Sequence, residues 1–96
     1  MAEWTFLTNH GKALLCIAHD PIVRLRDIAE ELGITERTAF GIVTDLSAAG
    51  YVEKIRDGRR NRYEIQVNLP LKIGVGRDVA VGEVLGLLVG AEERQP

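Results

Sequence analysis

The sequence predicts an α+β fold in which three helices precede a β-hairpin and a fourth helix follows it. Apolar residues recur at helical spacing in three segments before residue 50. A turn dipeptide with alternating flanks follows within residues 51–67, and a last apolar stretch begins near residue 79. Because 96 residues suffice for one hydrophobic core, we expect one domain over residues 1–77 and a C-terminal helix and tail over residues 78–96.

Composition is typical of a globular protein in a reducing compartment. Apolar residues make up 46% and charged residues 27% of the chain. Cys16 is the only cysteine, which excludes an internal disulfide and favours the cytoplasm. The longest nearly apolar stretch, residues 79–91, contains Glu83 and is too short to span a bilayer. We therefore expect a cytoplasmic protein without a secretory or membrane-spanning segment.

The first helix is predicted to begin after Thr8 or Asn9, since both are good N-cap residues. It should end before Asp20, because a residue that precedes proline disfavours the helical conformation. Residues 13–18 are all apolar or cysteine. A helix that is apolar nearly all round packs on more than one side, so another element must cover it.

A pair of helices joined by a glycine turn is predicted next. A brief strand is expected at residues 22–25, and a second helix at residues 26–32. Gly33 should end that helix, and Thr35 should cap a third helix that runs from residue 36 to about residue 49. The third helix has an inward stripe formed by Ala39, Ile42, Val43 and Leu46.

A basic hairpin follows the third helix. Residues 51–56 and 62–67 are predicted strands, and Asp57-Gly58 is a typical hairpin-turn dipeptide between them. Tyr63, Ile65 and Val67 should share one face of the second strand. Five basic residues and one aspartate give residues 54–62 a net charge of +4, although the whole chain carries −2 and the remaining residues therefore carry −6. A polyanion responds to such a local positive field more than to the global charge.

The last third of the chain combines an extended arm with an apolar helix. Leu69, Leu71, Ile73 and Val75 occupy alternating positions. Asp78 is predicted to cap a final helix that reaches Val89, and residues 91–96 should fray. The apolar side chains of this helix either cover the first helix within one chain or pair across a dimer. We favour the dimer, with an interface formed by Val81, Val84, Leu85 and Leu88.

Three stretches carry a resemblance to a known family. Residues 25–38 (LRDIAEELGITERT) and residues 45–52 (DLSAAGYV) resemble winged helix-turn-helix regulators of the MarR and ArsR type. Residues 57–63 (DGRRNRY) fit the wing of such proteins. The resemblance covers nearly the whole chain. It implies that the domain over residues 1–77 binds DNA, often as a homodimer.

The outward face of the third helix supplies candidate base readers. Arg37, Gly41 and Thr44 lie opposite the inward stripe, and Phe40 lies at its flank. Arg37 can donate two hydrogen bonds to guanine, and Phe40 can contact a thymine methyl group. The first turn of this helix is a common docking place for phosphate. The complete set of predicted DNA-binding residues is Arg26, Thr35, Arg37, Thr38, Phe40, Gly41, Thr44, Arg56, Arg59, Arg60 and Arg62.

We interpret the chain as a DNA-binding transcription regulator that represses by occupying a promoter. Two alternatives remain open, a winged-helix module that binds protein and a regulator that senses a small molecule or metal. No nucleophile triad, carboxylate pair or phosphate-cradling glycine loop supports catalysis, and no cofactor is expected. Cys16 and His19 lie one helical turn apart, but a closed metal site needs about four ligands, so we predict no metal site.

Overall fold

The computed structural model describes residues 5–71, residue 76 and residues 79–93. Within them the chain is α+β, with four helices and one two-stranded antiparallel sheet, as the sequence predicts. The elements are α1 (Asn9–His19), α2 (Leu25–Leu32), α3 (Glu36–Ala48), β1 (Val52–Asp57), β2 (Arg60–Ile65) and α4 (Val81–Glu93). This layout is compatible with a winged-helix-like arrangement.

Helix α1 has the bounds that its sequence predicts. The Thr8 side chain accepts a hydrogen bond from the Gly11 N–H at 3.2 Å and so caps the first turn. At the other end, the Asp20 N–H donates to the Cys16 carbonyl at 3.0 Å, and the backbone then becomes extended before proline.

The turn between α2 and α3 also follows from local sequence. Gly33 has φ +71°, a left-handed conformation that favours glycine. The Ile34 N–H donates back to the Ala29 carbonyl at 2.9 Å, which satisfies an end carbonyl of α2. Thr35 then caps α3, because its side chain accepts from the Thr38 N–H at 3.1 Å.

Residues 22–25 do not form the predicted strand. The Val23 N–H donates to the Asp20 carbonyl at 2.9 Å, so the chain turns there, and the last of these residues already belongs to α2. A single backbone hydrogen bond, from the Tyr63 N–H to the Pro21 carbonyl at 2.9 Å, joins this turn to β2. The segment between turn and helix is too short for a strand ladder.

The hairpin turn is tighter than the sequence predicts. β1 and β2 pair up to Asp57 opposite Arg60, so the expected loop over residues 57–61 is a two-residue turn centred on Gly58 and Arg59. Gly58 has φ +66°, and no described non-glycine residue has a positive φ. This combination is typical of a type II′ turn, whose twist matches that of the flanking strands.

The core surrounds α1. It joins one face of α1 to the stripes of α2 and α3, to one side of the hairpin and to the start of α4. Its buried members are Ala13, Leu14, Ile17, Ile28, Ala29, Ala39, Ile42, Val43, Leu46, Val52, Tyr63, Val81 and Leu85. The element that covers the second side of α1 is therefore α4 of the same chain. No described helix is both long and apolar enough to cross a lipid bilayer.

A short antiparallel contact leads the chain into α4. The Leu71 N–H donates to the Val79 carbonyl at 2.8 Å, and the Val81 N–H donates to the Leu69 carbonyl at 2.7 Å. The predicted arm thus pairs with the residues that precede α4 of its own chain. This pairing holds the first turn of α4 beside α1.

Some predictions for the arm and for α4 concern residues that the structure does not describe, and the predicted end of α4 is wrong. Ile73, Val75 and the predicted cap Asp78 fall outside the described residues. Helix α4 continues to Glu93, beyond the predicted end at Val89, so its last turn includes residues that were expected to fray.

Gly82 allows α4 to approach the chain that leaves β2. A Cβ atom at residue 82 would lie 2.6 Å from the Val67 Cβ and 2.9 Å from the Val67 carbonyl oxygen, closer than side chains approach. The Gly82 N–H donates to that same carbonyl at 2.9 Å. Val67 is 51% exposed and lies past the end of β2 at Ile65, so it does not extend the buried face of the strand as predicted.

Candidate nucleic-acid interface

The outward face of α3 is open to solvent. Ala39, Ile42, Val43 and Leu46 are buried, as the stripe predicts. Arg37, Gly41 and Thr44 are exposed on the other side, and the Phe40 side chain is 55% exposed. An added Cβ at residue 41 would meet no atom within 4 Å. These side chains are therefore available to a partner that approaches the helix broadside.

The first turn of α3 is organised by two threonines. Besides capping the helix, the Thr35 hydroxyl donates to the Thr38 hydroxyl at 3.0 Å. Both side chains are exposed, and the positive end of the helix dipole lies beside them. Thr35 thus has a structural role that accounts for its presence, whereas Arg37 projects from the same turn without being needed for the cap.

Asp45 of α3 forms a side-chain contact with His10 of α1. The His10 Nε2 lies 2.8 Å from the Asp45 Oδ2, and both side chains are substantially exposed. This contact joins residues 35 positions apart in the chain. It engages one of the two carboxylates that make α3 net negative. The sequence did not predict this pairing, because the two residues are 35 positions apart.

The hairpin divides its basic residues between two sides. The strand register places Lys54 and Arg56 on the face of the buried Tyr63, toward α3. Arg62 falls on the opposite face, where its guanidinium lies 3.7 Å from the Glu64 carboxylate. Arg62 also lines a groove beside α4, apart from the outward face of α3, and its role as a DNA contact stays a prediction.

Four arginines converge between the start of α2 and the hairpin turn. Arg24 and Arg26 from α2 and Arg59 and Arg60 from the turn line a cleft of about 400 Å³, which we call the arginine cleft. Its wall also contains Glu36, the first residue of α3. All four arginines are exposed. The lining of one concavity thus contains four solvent-exposed arginines.

A second cleft continues the arginine cleft along α3. It has a volume of about 520 Å³ and lies between the α3 residues Phe40 and Thr44 and the hairpin residue Lys54. The two clefts share Leu25, Asn61 and Tyr63 in their walls. The α3 face, the hairpin and the start of α2 thus form one continuous surface.

The continuous surface includes, in the lining of its two clefts, five of the eleven predicted contact residues and some residues that were not predicted. Arg26, Phe40, Thr44, Arg59 and Arg60 line it directly. Arg56 is exposed, and its Nε donates to the Gly58 carbonyl at 2.9 Å within the hairpin. The hairpin residues Lys54 and Asn61 belong to the surface although sequence reasoning did not select them as contacts. Only the strand register, which sequence alone did not provide, could have identified them.

Cys16, the thiol of α1, lies outside the continuous surface. Cys16 and His19 line a groove between α1 and α2 together with Asp20, Asp27 and Glu31. No group of three or more potential ligands among the described residues has the geometry to hold a metal ion. Burial, and secondarily the nearby Glu31 carboxylate, raises the pKa of the Cys16 thiol. The protonated thiol is a poor metal ligand.

The predicted dimer residues divide between core and surface. Val81 is 1% exposed and Leu85 is 8% exposed, because both pack inside the single chain. They are therefore not available to a second copy, and their placement in a dimer interface is corrected. Val84 is half-buried and Leu88 is 47% exposed, so these two remain accessible.

Comparison with protein families and with curated proteins finds no match for this chain.

Proposed function

We propose that the chain is a winged helix-turn-helix protein that binds double-stranded DNA. In this proposal α3 enters the major groove, while the hairpin and the start of α2 contact the flanking phosphates. The observation that carries it is the continuous surface in which the exposed α3 face meets the arginine cleft. Phosphate contacts position such a protein, and base contacts from α3 select the sequence.

The charge distribution supports this orientation. Arg24, Arg26, Arg59 and Arg60 lie on one side of α3, so they compensate for the net negative charge of the helix itself. Asp45 is held by His10 at the edge of α3. Arg37, Phe40 and Thr44 are left as candidate base readers. The cellular role that we propose is cytoplasmic repression by promoter occupancy, in the manner of MarR-type and ArsR-type regulators.

Salt-dependent binding to a random-sequence duplex tests the proposal. Replacement of both Arg59 and Arg60 by alanine should weaken binding to every duplex and reduce the slope of log K against log salt by about 2. Arg62→Ala is the control, because Arg62 lines the groove beside α4 and does not line the arginine cleft. Equal effects per removed charge would show that the hairpin contributes diffuse charge and no oriented contact.

We also propose that two copies bind one duplex as a symmetric homodimer. A single net-negative reading helix should bind weakly, and two helices spaced about 34 Å apart match one DNA turn. Val84 and Leu88 are the accessible members of the predicted interface. Sedimentation of the wild type at micromolar concentration tests this, and a monomer under those conditions would exclude the dimer.

A protein-binding module is the second candidate. The observation that favours it is Phe40, a large apolar side chain that is 55% exposed on a helix whose charge is net negative. Such a face suits a protein partner more than a phosphate backbone. Failure to bind any duplex at low salt, with the fold intact, would favour this candidate over DNA binding.

A further inference from the structure

The arginine cleft gathers like charges from distant parts of the chain. Arg24 and Arg26 flank the first residue of α2, whereas Arg59 and Arg60 come from the hairpin turn. Glu36 is the only carboxylate among the described residues that line this cleft. The four arginines and one glutamate give the lining of the cleft a formal net charge of +3. An anion bound there would relieve the mutual repulsion.

The start of α2 adds to this potential. Thr8 and Thr35 cap α1 and α3 with side-chain oxygens, but among the described residues no side chain provides such a cap for α2. Its N-cap residue is Arg24, itself a member of the cleft. The positive end of the α2 dipole is therefore combined with cationic side chains in the cleft, while Asp27, the acidic residue in the first turn of α2, does not line the cleft.

Guanidinium chemistry narrows the class of ligand. Each guanidinium presents a planar fork of donors that matches the oxygens of phosphate, and several forks around one concavity suit a group with many acceptor oxygens. The remaining wall is partly apolar, formed by Ile22, Val23 and Leu25. Such a wall excludes water from one side of the ligand and strengthens the ionic hydrogen bonds.

We propose that the arginine cleft is a discrete phosphate-binding site that inorganic polyphosphate can occupy in the absence of DNA. The same chemistry serves an internal phosphate of a DNA backbone and a phosphate of a free polyphosphate. The further consequence, that polyphosphate competes with DNA for the cleft, rests on the proposed function. Glu36 opposes the ligand and sets a limit on its affinity.

The first experiment titrates the isotope-labelled full chain with inorganic tripolyphosphate at constant ionic strength, without DNA. We expect saturable amide shifts confined to residues 22–26, residue 36 and residues 58–61. Replacement of both Arg24 and Arg60 by glutamine should weaken binding by at least roughly tenfold, since the loss of even one hydrogen bond to a charged group costs about that much. Glu36→Gln should strengthen it.

Two controls separate a site from general ion attraction. Arg62→Gln, on the other side of the hairpin, should leave tripolyphosphate affinity unchanged, and thermal unfolding should show that each variant keeps its fold. Shifts that never saturate, or that extend equally to Lys12 and Arg62, would overturn the proposal.

The competition arm uses a labelled duplex with tripolyphosphate or with sodium chloride of matched ionic strength. Tripolyphosphate should displace the wild-type chain at lower ionic strength than the chloride does, and the Arg24 and Arg60 double variant should lose this difference. Saturable polyphosphate binding by a chain that binds no duplex would uphold the cleft and reject the proposed function. DNA binding without saturable polyphosphate binding would uphold the proposed function and reject the cleft as a discrete phosphate site.

Discussion

The two sides of the hairpin differ in what surrounds their basic residues. Toward α2 and α3, Arg59 and Arg60 line a cleft in which cationic groups predominate and which opens to solvent. Toward α4, Arg62 lies 3.7 Å from Glu64 and borders a groove whose other residues are mostly apolar. Arginines that are neighbours in sequence thus have different environments. The difference is chemical, because the cleft toward α2 and α3 presents charged residues that are mainly cationic and the groove toward α4 presents mainly apolar ones.

This comparison predicts that changes on the α4 side affect stability and changes on the α3 side affect binding. Leu85→Glu should have the largest effect, because it buries a carboxylate where an 8% exposed leucine packs against α1. We expect a loss of about 3 kcal/mol or more in the free energy of unfolding, measured by urea denaturation. Leu88→Glu is the matched control, since Leu88 is 47% exposed. A folded Leu85→Glu chain that merely dissociates would place α4 in an interface after all.

On the binding side, Arg37→Ala should cost about 1–3 kcal/mol on the preferred DNA site and relax the choice of one base pair. The reason is that Arg37 is exposed on the outward face of α3 and makes no part of the Thr35 cap. Binding to a selected site and to its single-base variants measures the effect. A uniform loss of affinity over all sequences would show that Arg37 contacts a phosphate. As a control, the free energy of unfolding of the Arg37→Ala chain should equal that of the wild type.

A pair of glycines tests the packing of α4 at smaller scale. Gly82→Ala should lower the free energy of unfolding by about 1 kcal/mol, since the clash with Val67 outweighs the better helix propensity. Gly86→Ala should instead raise it by about 0.5–1 kcal/mol, because a Cβ there meets no atom within 4 Å. Thermal or urea unfolding compares the two variants. The same sign for both would contradict the close contact at Gly82.

The contact between α1 and α3 should give the smallest effect. Asp45→Asn removes the charge that faces His10, and we expect a loss of less than about 1 kcal/mol because both side chains are largely exposed. Its effect on DNA binding should be the opposite, a modest gain from the removal of a negative charge near the duplex. Weaker binding by this variant would show that Asp45 positions α3.

Local chemistry made the first three helices of this protein predictable from sequence. Thr8 and Thr35 accept hydrogen bonds from amides three residues ahead, and Gly33 adopts a left-handed conformation that directly ends α2. These interactions depend on a few consecutive residues, so spacing and residue type are sufficient to locate them. The exposed face of α3 follows in the same way from helical periodicity, which identified Arg37 and Thr44.

Tertiary structure decided what those elements face. The packing of the hairpin against the helices brought Arg59 and Arg60 to the arginine cleft and Arg62 to the groove beside α4. Packing of α4 on α1 buried Val81 and Leu85 in the core. The close approach of α4 to Val67 required a residue without a side chain at position 82. Each of these outcomes depends on contacts between segments far apart in the chain. Periodicity determines which side of an element is apolar, but only the packed chain determines which neighbour covers it.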